Sequence, residues 1–411
     1  MAGDARGGDA DGGDPVSDTV SDARVAVGPG RPVIPAERYQ QRMEEASRLA
    51  SEAGLDALLL GVGPELRYLT GYGAMPLERL TMLVLSARGR ARLVVPRLEV
   101  SPARSSPAAA AGLVEIVTWD ETDDAHGLAA SLAGTRAPRG RVAVSNALWA
   151  LHVLGLQRAL PGAEFSLATA VLRRLRMRKD AEEIALLRSA AHAADRVVEQ
   201  IATGRLVGRS EAEVAHEVRE RLVAEGHDSA TFAIVGSGPN SASPHHEAGD
   251  RLIRAGEPIV LDIGGTLGGY GSDVARTLWV TGGGSAYGPD LAFRELFAVL
   301  LDAQRLATVA VRPGVACEAI DAAARGHITE HGYGPQFFHR VGHGIGLEAH
   351  EEPYLVAGND EPLDVGFAFS VEPGIYLEGR YGARIEDIVV CGADGPVVLN
   401  EAGRDLWVVD G

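Results

Sequence analysis

Two acidic pairs recur in the C-terminal half of the chain at nearly the same interval, and this constrains the fold more than any other feature. Asp262 and Asp273 flank a glycine-rich run, and Glu372 and Glu386 flank a stretch centred on Gly379. The step from Asp262 to Glu372 is 110 residues, and from Asp273 to Glu386 it is 113. The elements expected around them recur in the same order. A helix begins at about Asp180, with Ile184, Leu187, Ala191, Ala194, Val198 and Ile201 forming a one-sided apolar stripe. A second begins at Ser210, where Glu213 completes a capping box. Strands are expected around 231–235, 258–263 and 273–280. Helices at about 291–310 and 316–330 then repeat the order, followed by strands over 367–371 and 384–390. Two copies of a helix-helix-strands unit, each giving two carboxylates to a shared centre, is the simplest account.

The turns explain why the carboxylates should meet. Gly264-Gly265-Thr266-Leu267-Gly268-Gly269-Tyr270-Gly271 lies between two strand-like runs. A hairpin centred near Leu267 would put Asp262 directly opposite Asp273, and one centred on Gly379 would put Glu372 opposite Glu386. Between the pairs lies Val341-Gly342-His343-Gly344-Ile345-Gly346-Leu347-Glu348-Ala349-His350. Any one of these residues alone reads as a turn acid, a surface glutamate or a structural histidine. One imidazole and four carboxylates together are the inventory of a site for two hard divalent cations. Like charges a few ångströms apart raise each other's pKa, and two divalent ions would remove that conflict.

The rest of the chain frames this centre. Residues 1–33 carry seven glycines and six aspartates without an apolar period, a composition expected to form a disordered tail. From residue 34 to about 175, short apolar runs at 55–60, 80–85, 92–95, 114–117 and 141–145 alternate in part with helical stretches at 125–132 and 148–160. That pattern predicts a smaller α/β domain, followed by the domain holding the acidic pairs over 176–411. Gly61-Val62-Gly63-Pro64 lacks the third glycine of a phosphate loop. The net charge of −17 argues against nucleic acid or an anionic membrane as partner. No apolar run is long enough to span a bilayer, and no cationic start with an apolar stretch marks a secretory signal. Two cysteines, Cys317 and Cys391, are too few for a disulfide framework, and a cytoplasmic protein is expected. Of the 39 basic residues only Lys179 is a lysine, a skew that reads as codon bias from a GC-rich genome.

These residues also carry a resemblance. Leu261-Asp262-Ile263-Gly264, Ser272-Asp273-Val274-Ala275-Arg276-Thr277, His343-Gly344-Ile345-Gly346, Val371-Glu372-Pro373-Gly374 and Arg384-Ile385-Glu386-Asp387 are similar, as a set, to motifs of the pita-bread metallopeptidases that include aminopeptidase P and prolidase. The segment from Asn240 through Pro244 to His245 resembles the family's upstream histidine segment, and Tyr68-Leu69-Thr70-Gly71-Tyr72 a recurrent piece of its N-terminal domain. The likeness runs from about residue 36 to the C-terminus.

It implies an α+β fold: a C-terminal pita-bread catalytic domain with an internal pseudo-twofold repeat, preceded by a smaller α/β creatinase-like domain. It implies that Asp262 binds one metal, that Asp273 and Glu386 bridge two, and that His343 and Glu372 complete the second. Glu372 would pass a proton to the leaving nitrogen, and His350 and His245 would steady the substrate carbonyl. Arg384 would orient Glu386 or meet a substrate carboxylate. His339 and Tyr376 would line the substrate pocket. His246, adjacent to His245, would point the other way in an extended segment and is given no role. Two divalent ions are expected, manganese first, with cobalt or zinc as alternatives. The implied substrate is a small peptide cut between its first residue and proline, and the implied assembly is a homodimer. A methionine-type aminopeptidase, a hydrolase of small non-peptide amides and a metal-free binding module on the same fold are the other readings. One departure stands out. Relatives commonly carry a hydroxyl residue at the position of Ala275, and its loss would loosen one metal without removing a ligand.

Overall fold

The computed structural model describes residues 30–134 and 140–411, so the expected tail lies, up to residue 29, outside the described residues. The first strands are β1 (Ala57–Gly61), β2 (Met82–Ser86), β3 (Ala91–Pro96), β4 (Glu115–Trp119), β5 (Arg141–Val144) and β6 (Glu164–Leu167). They form one sheet in the order β4-β3-β2-β1-β5-β6. β2 runs antiparallel to both neighbours and the other pairs are parallel. Both faces of this sheet are covered, so alternate residues of β1 enter two cores. Leu58 and Leu60 pack with Met43, Ala46 and Ala50 of the helix Ala36–Glu52, whereas Leu59 packs with Ala129 and Leu156 of the helices Ala125–Leu132 and Ala150–Ala159. The core on the first face continues into the second half of the chain through Leu187, Tyr270, Ile345 and Ile388.

The second half opens with the helices Ala181–Ala202 and Glu211–Ala224. Each starts on a complete capping box, Asp180 with Glu183 and Ser210 with Glu213. The next strands are β7 (Ser229–Ser237), β8 (Glu257–Leu267), β9 (Tyr270–Gly271) and β10 (Val274–Val280). The order then repeats. Helices Leu291–Ala310 and Cys317–Glu330 precede β11 (Gly342–Gly344), β12 (Glu351–Leu355), β13 (Ala368–Val371), β14 (Gly374–Leu377), β15 (Tyr381–Arg384), β16 (Asp387–Gly392) and β17 (Gly395–Val398), with β18 (Trp407–Val409) last. β18-β10-β8-β7 form one sheet, with β9 paired to β8; β12-β11-β13-β16-β17 form the second, and β14-β15 a separate hairpin. This is the expected α+β architecture with its repeat. Cys317 and Cys391 are both buried and unpaired. No helix among the described residues is long and apolar enough to cross a membrane.

The two acidic hairpins differ in how well the sequence located their registers. In the second, Gly374 pairs Arg384, and on the next strands Val371 pairs Asp387, so Glu372 and Glu386 occupy facing positions as expected. In the first, Asp262 faces Ala275 rather than Asp273. Leu267 pairs Tyr270, leaving Gly268 and Gly269 as a two-residue turn with φ of 64° and 87°. Two successive left-handed residues suit glycine, and that fixed the turn one residue later than its centre in the glycine run. Asp273 therefore lies diagonal to Asp262, two residues along, but still on the same face.

The two repeats are tied together at β10. Glu386 N–H donates to Ala275 O at 3.0 Å, and Thr277 Oγ both donates to Arg384 O and accepts from Arg384 N–H. Arg276, 1% exposed, donates to the carbonyls of Glu386, Ala402 and Gly403 and to Asp387 Oδ1 at 2.8 Å. Asp387 also accepts from Gln304 and Arg404, so this buried pair is fully bonded.

Candidate metal centre

Each acidic side chain reaches the centre from a position that its backbone fixes. Asp262 points from β8, Asp273 from the break between β9 and β10, and Glu372 and Glu386 from the breaks at which one strand pair gives way to the next. His343 comes from β11, whose approach to β13 is too close for a side chain: a Cβ on Gly342 would lie 1.9 Å from Ser370 O. The glycines around His343 therefore serve strand packing. Asp262, Asp273, His343 and Glu386 are all at most 7% exposed. His343 Nε2 lies 3.1 Å from Glu372 Oε1 and 3.8 Å from Asp273 Oδ2.

The electrostatics are those of too many carboxylates for the protein's own cations. Burial, then the neighbouring Asp262, holds the Asp273 carboxyl well above its usual range. Burial, then Asp273 and Glu372, does the same to Glu386. Asp262 is also raised by burial, against the pull of Arg384. Burial pushes Glu372 upward too, but the hydrogen bond and charge of His343 outweigh it and bring Glu372 down to about 2. His343 is raised correspondingly: burial lowers it, but Glu372 and Asp273 more than compensate.

The centre has the properties of a divalent-cation site. Asp262 Oδ1 and Glu386 Oε1 are buried with no hydrogen-bond partner among the described residues. Asp273, His343 and Glu386 can offer ligand atoms within 4.8 Å of one another. Carboxylate oxygens with one imidazole and no thiolate make a hard donor set. Ala275 stands directly opposite Asp262, whose Oδ1 is one of the two unpartnered atoms.

The histidines and the arginine lie around a cavity of about 800 Å³ whose walls include His245, His339, His350, Phe338 and Arg340 together with the acidic group. The His350 ring lies 3.8 Å from that of His343, centroid to centroid. Partial burial and then His343 lower the His350 pKa to about 4, so its imidazole is neutral at pH 7 and keeps one N–H to donate. His339 Nε2 and Tyr376 Oη are 3.0 Å apart, and burial pushes the Tyr376 phenol up to about 12. Arg384 differs from expectation in its partner. It donates to Asp262 rather than to Glu386, and its other bonds go to Tyr376 Oη at 2.8 Å and Pro244 O at 3.0 Å.

Three supporting residues escaped the sequence reading. Ser370, fully buried on β13, donates to Glu372 Oε1 at 3.1 Å and accepts from His343 N–H at 3.1 Å. Its signal was its place two residues before Glu372, on the same face of the strand. Glu211, 0% exposed, accepts from Ser237 N–H and Oγ, Asn240 Nδ2 and His246 Nε2, and so anchors the segment that presents His245. This gives His246, adjacent to His245, an anchoring contact. Thr277 holds the Arg384 backbone, as described above. The bonds of Glu211 and Thr277 span distant parts of the chain and leave no local trace.

Comparisons with known proteins fall on the same residues. The profile of Metallopeptidase family M24 matches residues 185–393, and that of the Creatinase/Prolidase N-terminal domain matches residues 42–178. A protein of Mycobacterium tuberculosis described as a probable dipeptidase PepE is 48% identical over 375 residues, 91% of this chain and 97% of the relative. The Xaa-Pro dipeptidase of Pyrococcus horikoshii is 29% identical over 379 residues, 89% of this chain and 98% of the relative. Among solved structures, dipeptidase PepE of Mycobacterium ulcerans superposes with a TM-score of 0.85 at 45% identity, covering 92% of this chain and 99% of that one. Recombinant prolidase of Thermococcus sibiricus superposes with a TM-score of 0.82 at 32% identity, covering 90% and 99%.

Proposed function

The chain belongs to metallopeptidase family M24, and from that premise we propose that it is an Xaa-Pro peptidase, acting on dipeptides of the form Xaa-Pro. The observation that carries the reading is the convergence of Asp262, Asp273, His343, Glu372 and Glu386 on one cavity that His245 and His350 also line. The relatives described as a dipeptidase and an Xaa-Pro dipeptidase support the substrate class. The five acidic and imidazole side chains would hold two divalent ions. Bound there, such ions polarise a carbonyl and bring the pKa of water down to about 7. Manganese is the proposed ion because oxygen donors dominate, and the same donors would accept cobalt or zinc.

The remaining work falls to this chain's own side chains. As water adds to the scissile carbonyl carbon, Glu372 takes its proton and delivers it to the proline nitrogen. That nitrogen needs one because it must leave as an amine and not as an amide anion, as in the hydrolysis of any peptide bond. The C–N bond then breaks, giving a carboxylate and free proline. Glu372 is suited to this because it is partly open to the cavity and its Oε1 accepts from Ser370 Oγ at 3.1 Å. His350 and His245 would hydrogen-bond the carbonyl oxygen as charge develops on it. His339 forms the wall on the Arg384 side, whereas Tyr376, expected there too, is buried outside the cavity lining and holds His339 and Arg384 through its hydroxyl. The proposed division is residues 34–175 as the N-terminal domain and 176–411 as the catalytic one, in a cytoplasmic protein.

A panel of Gly-Pro, Ala-Pro, Ala-Pro-Ala, Met-Ala-Ser and small amides tests the substrate. Turnover of the Xaa-Pro dipeptides is expected, with little when alanine replaces proline. Preference for Met-Ala-Ser would favour a methionine-type aminopeptidase, and turnover of the amides alone a non-peptide hydrolase. The proposed assembly is a homodimer. Trp149, Leu151, Leu154 and Leu167 are 47–54% exposed around the helix Ala150–Ala159 and the edge strand β6, an apolar face that a second copy would cover. Sedimentation is expected to give twice the chain mass, and a fully active monomer would refute the assembly.

A further inference from the structure

We propose that Lys179 and Arg176, which lie on the segment joining the two halves of the chain, are positioning residues that set the place of His350. The inference rests on the reading of His350 as a contact to the substrate carbonyl.

His350 has little to hold it directly. Its ring contact is with His343, and no described residue hydrogen-bonds its imidazole. Its place therefore depends on its backbone, and the residues flanking it are pinned from one direction. Lys179 Nζ donates to Glu351 Oε1 at 2.6 Å, with side chains 1% and 7% exposed. Arg176 donates through Nη2 to Glu351 Oε2 and Glu348 Oε2, and its Nη1 lies 3.7 Å from Glu65 of the helix Pro64–Thr70. Arg173 pairs with Glu352. Glu348, Glu351 and Glu352 thus bracket His350, and among the described residues every cation that holds them belongs to residues 173–179. A strong, buried, charge-assisted clamp acts here on a loop whose central side chain has none of its own.

The choice of lysine points the same way. In a chain whose other basic residues are all arginines, position 179 alone keeps a lysine. The site is narrow: a Cβ on Gly346 would lie 3.1 Å from Lys179 Cε and 2.5 Å from Glu351 Oε1. A compact ammonium fits between that backbone and the carboxylate where a planar guanidinium would have to push the loop outward. Codon preference accounts for the arginines, and this geometry accounts for the exception.

The test is a double-mutant cycle on Xaa-Pro hydrolysis by the metal-loaded full chain. Lys179→Met is expected to lower kcat about tenfold in the wild-type background, with KM and bound metal nearly unchanged, and less than about twofold in the His350→Ala background, as coupled neighbours behave. An equal loss in both backgrounds, or no loss in the first, would overturn the proposal. Should Lys179→Met fold poorly by circular dichroism, Glu348→Gln on the exposed rim serves instead. It is expected to cost about threefold in the wild type and nothing without His350, and the same equality would overturn the proposal. A readout independent of turnover is the histidine ring spectrum of the metal-free chain. The signal missing from His350→Ala should shift in Lys179→Met, and an unmoved signal counts against positioning. If His350→Ala alone leaves kcat intact, the underlying role of His350 fails, an outcome distinct from uncoupled losses.

Discussion

Removing the divalent ions is expected to abolish Xaa-Pro hydrolysis, and Asp273→Asn or Glu386→Gln should prevent manganese from restoring it. The expected loss is large because ions at such a centre supply several kcal/mol of transition-state stabilisation. At about 1.4 kcal/mol per tenfold, that is on the order of 10³-fold or more in turnover. The two substitutions should have the opposite effect on the metal-free fold. Asp273 and Glu386 are both held well above the usual carboxylate range by burial and by neighbouring carboxylates. An uncharged side chain of the same shape removes that repulsion, so each variant should melt no lower than the metal-free wild type. Metal should raise the melting temperature of the wild type, because an ion that binds only the folded state stabilises it by mass action. Neither variant should show a comparable rise. A variant that melts far lower without metal would mean that these carboxyls act as structural hydrogen-bonding groups rather than as ligands.

His350→Ala should lower kcat by about 10²–10³ while bound metal stays at its wild-type level, the size of effect seen when one donor to a developing oxyanion is lost. The proposed role of His350 is that of a donor to the carbonyl oxygen and not that of a ligand. Its imidazole, neutral at pH 7, lies against the His343 ring and on the cavity wall. Kinetics and metal analysis on the same preparation separate the outcomes. A fall in both kcat and metal would make His350 a ligand, and a change confined to KM would make it a ground-state binding residue.

The sequence revealed those parts of the centre that depend on local pattern. The Glu372–Glu386 register was legible because Gly379 is the only glycine between Leu377 and Tyr381, leaving one natural turn centre. The Asp262–Asp273 register was misjudged because the glycines from Gly264 to Gly271 allow several centres. The pair of positive φ values at Gly268 and Gly269 decides among them. The helices of the second half could be read from capping boxes and apolar stripes, each confined to a few turns. In the first half, β6 and the helix Thr169–Met177 were missed. Every residue of β6 is at least partly exposed, so it shows no buried alternation, and the helix is rich in arginine. Those arginines and Lys179 meet partners more than 170 positions away, as at Lys179–Glu351, and no reading of local pattern reaches that far. Arg384 shows the same limit. Its presence beside Glu386 was plain in the motif, but its bond to Asp262 crosses between the two repeats.

At the heart of the proposed chemistry is the dependence of hydrolysis on ions held by Asp262, Asp273, His343, Glu372 and Glu386. Its most direct test is a titration of manganese into chelator-stripped protein, with bound metal and Gly-Pro hydrolysis measured on the same samples. No hydrolysis is expected in the stripped protein, and activity should rise with occupancy until two ions are bound per chain. Full hydrolysis of Gly-Pro by protein shown to be free of metal would contradict it.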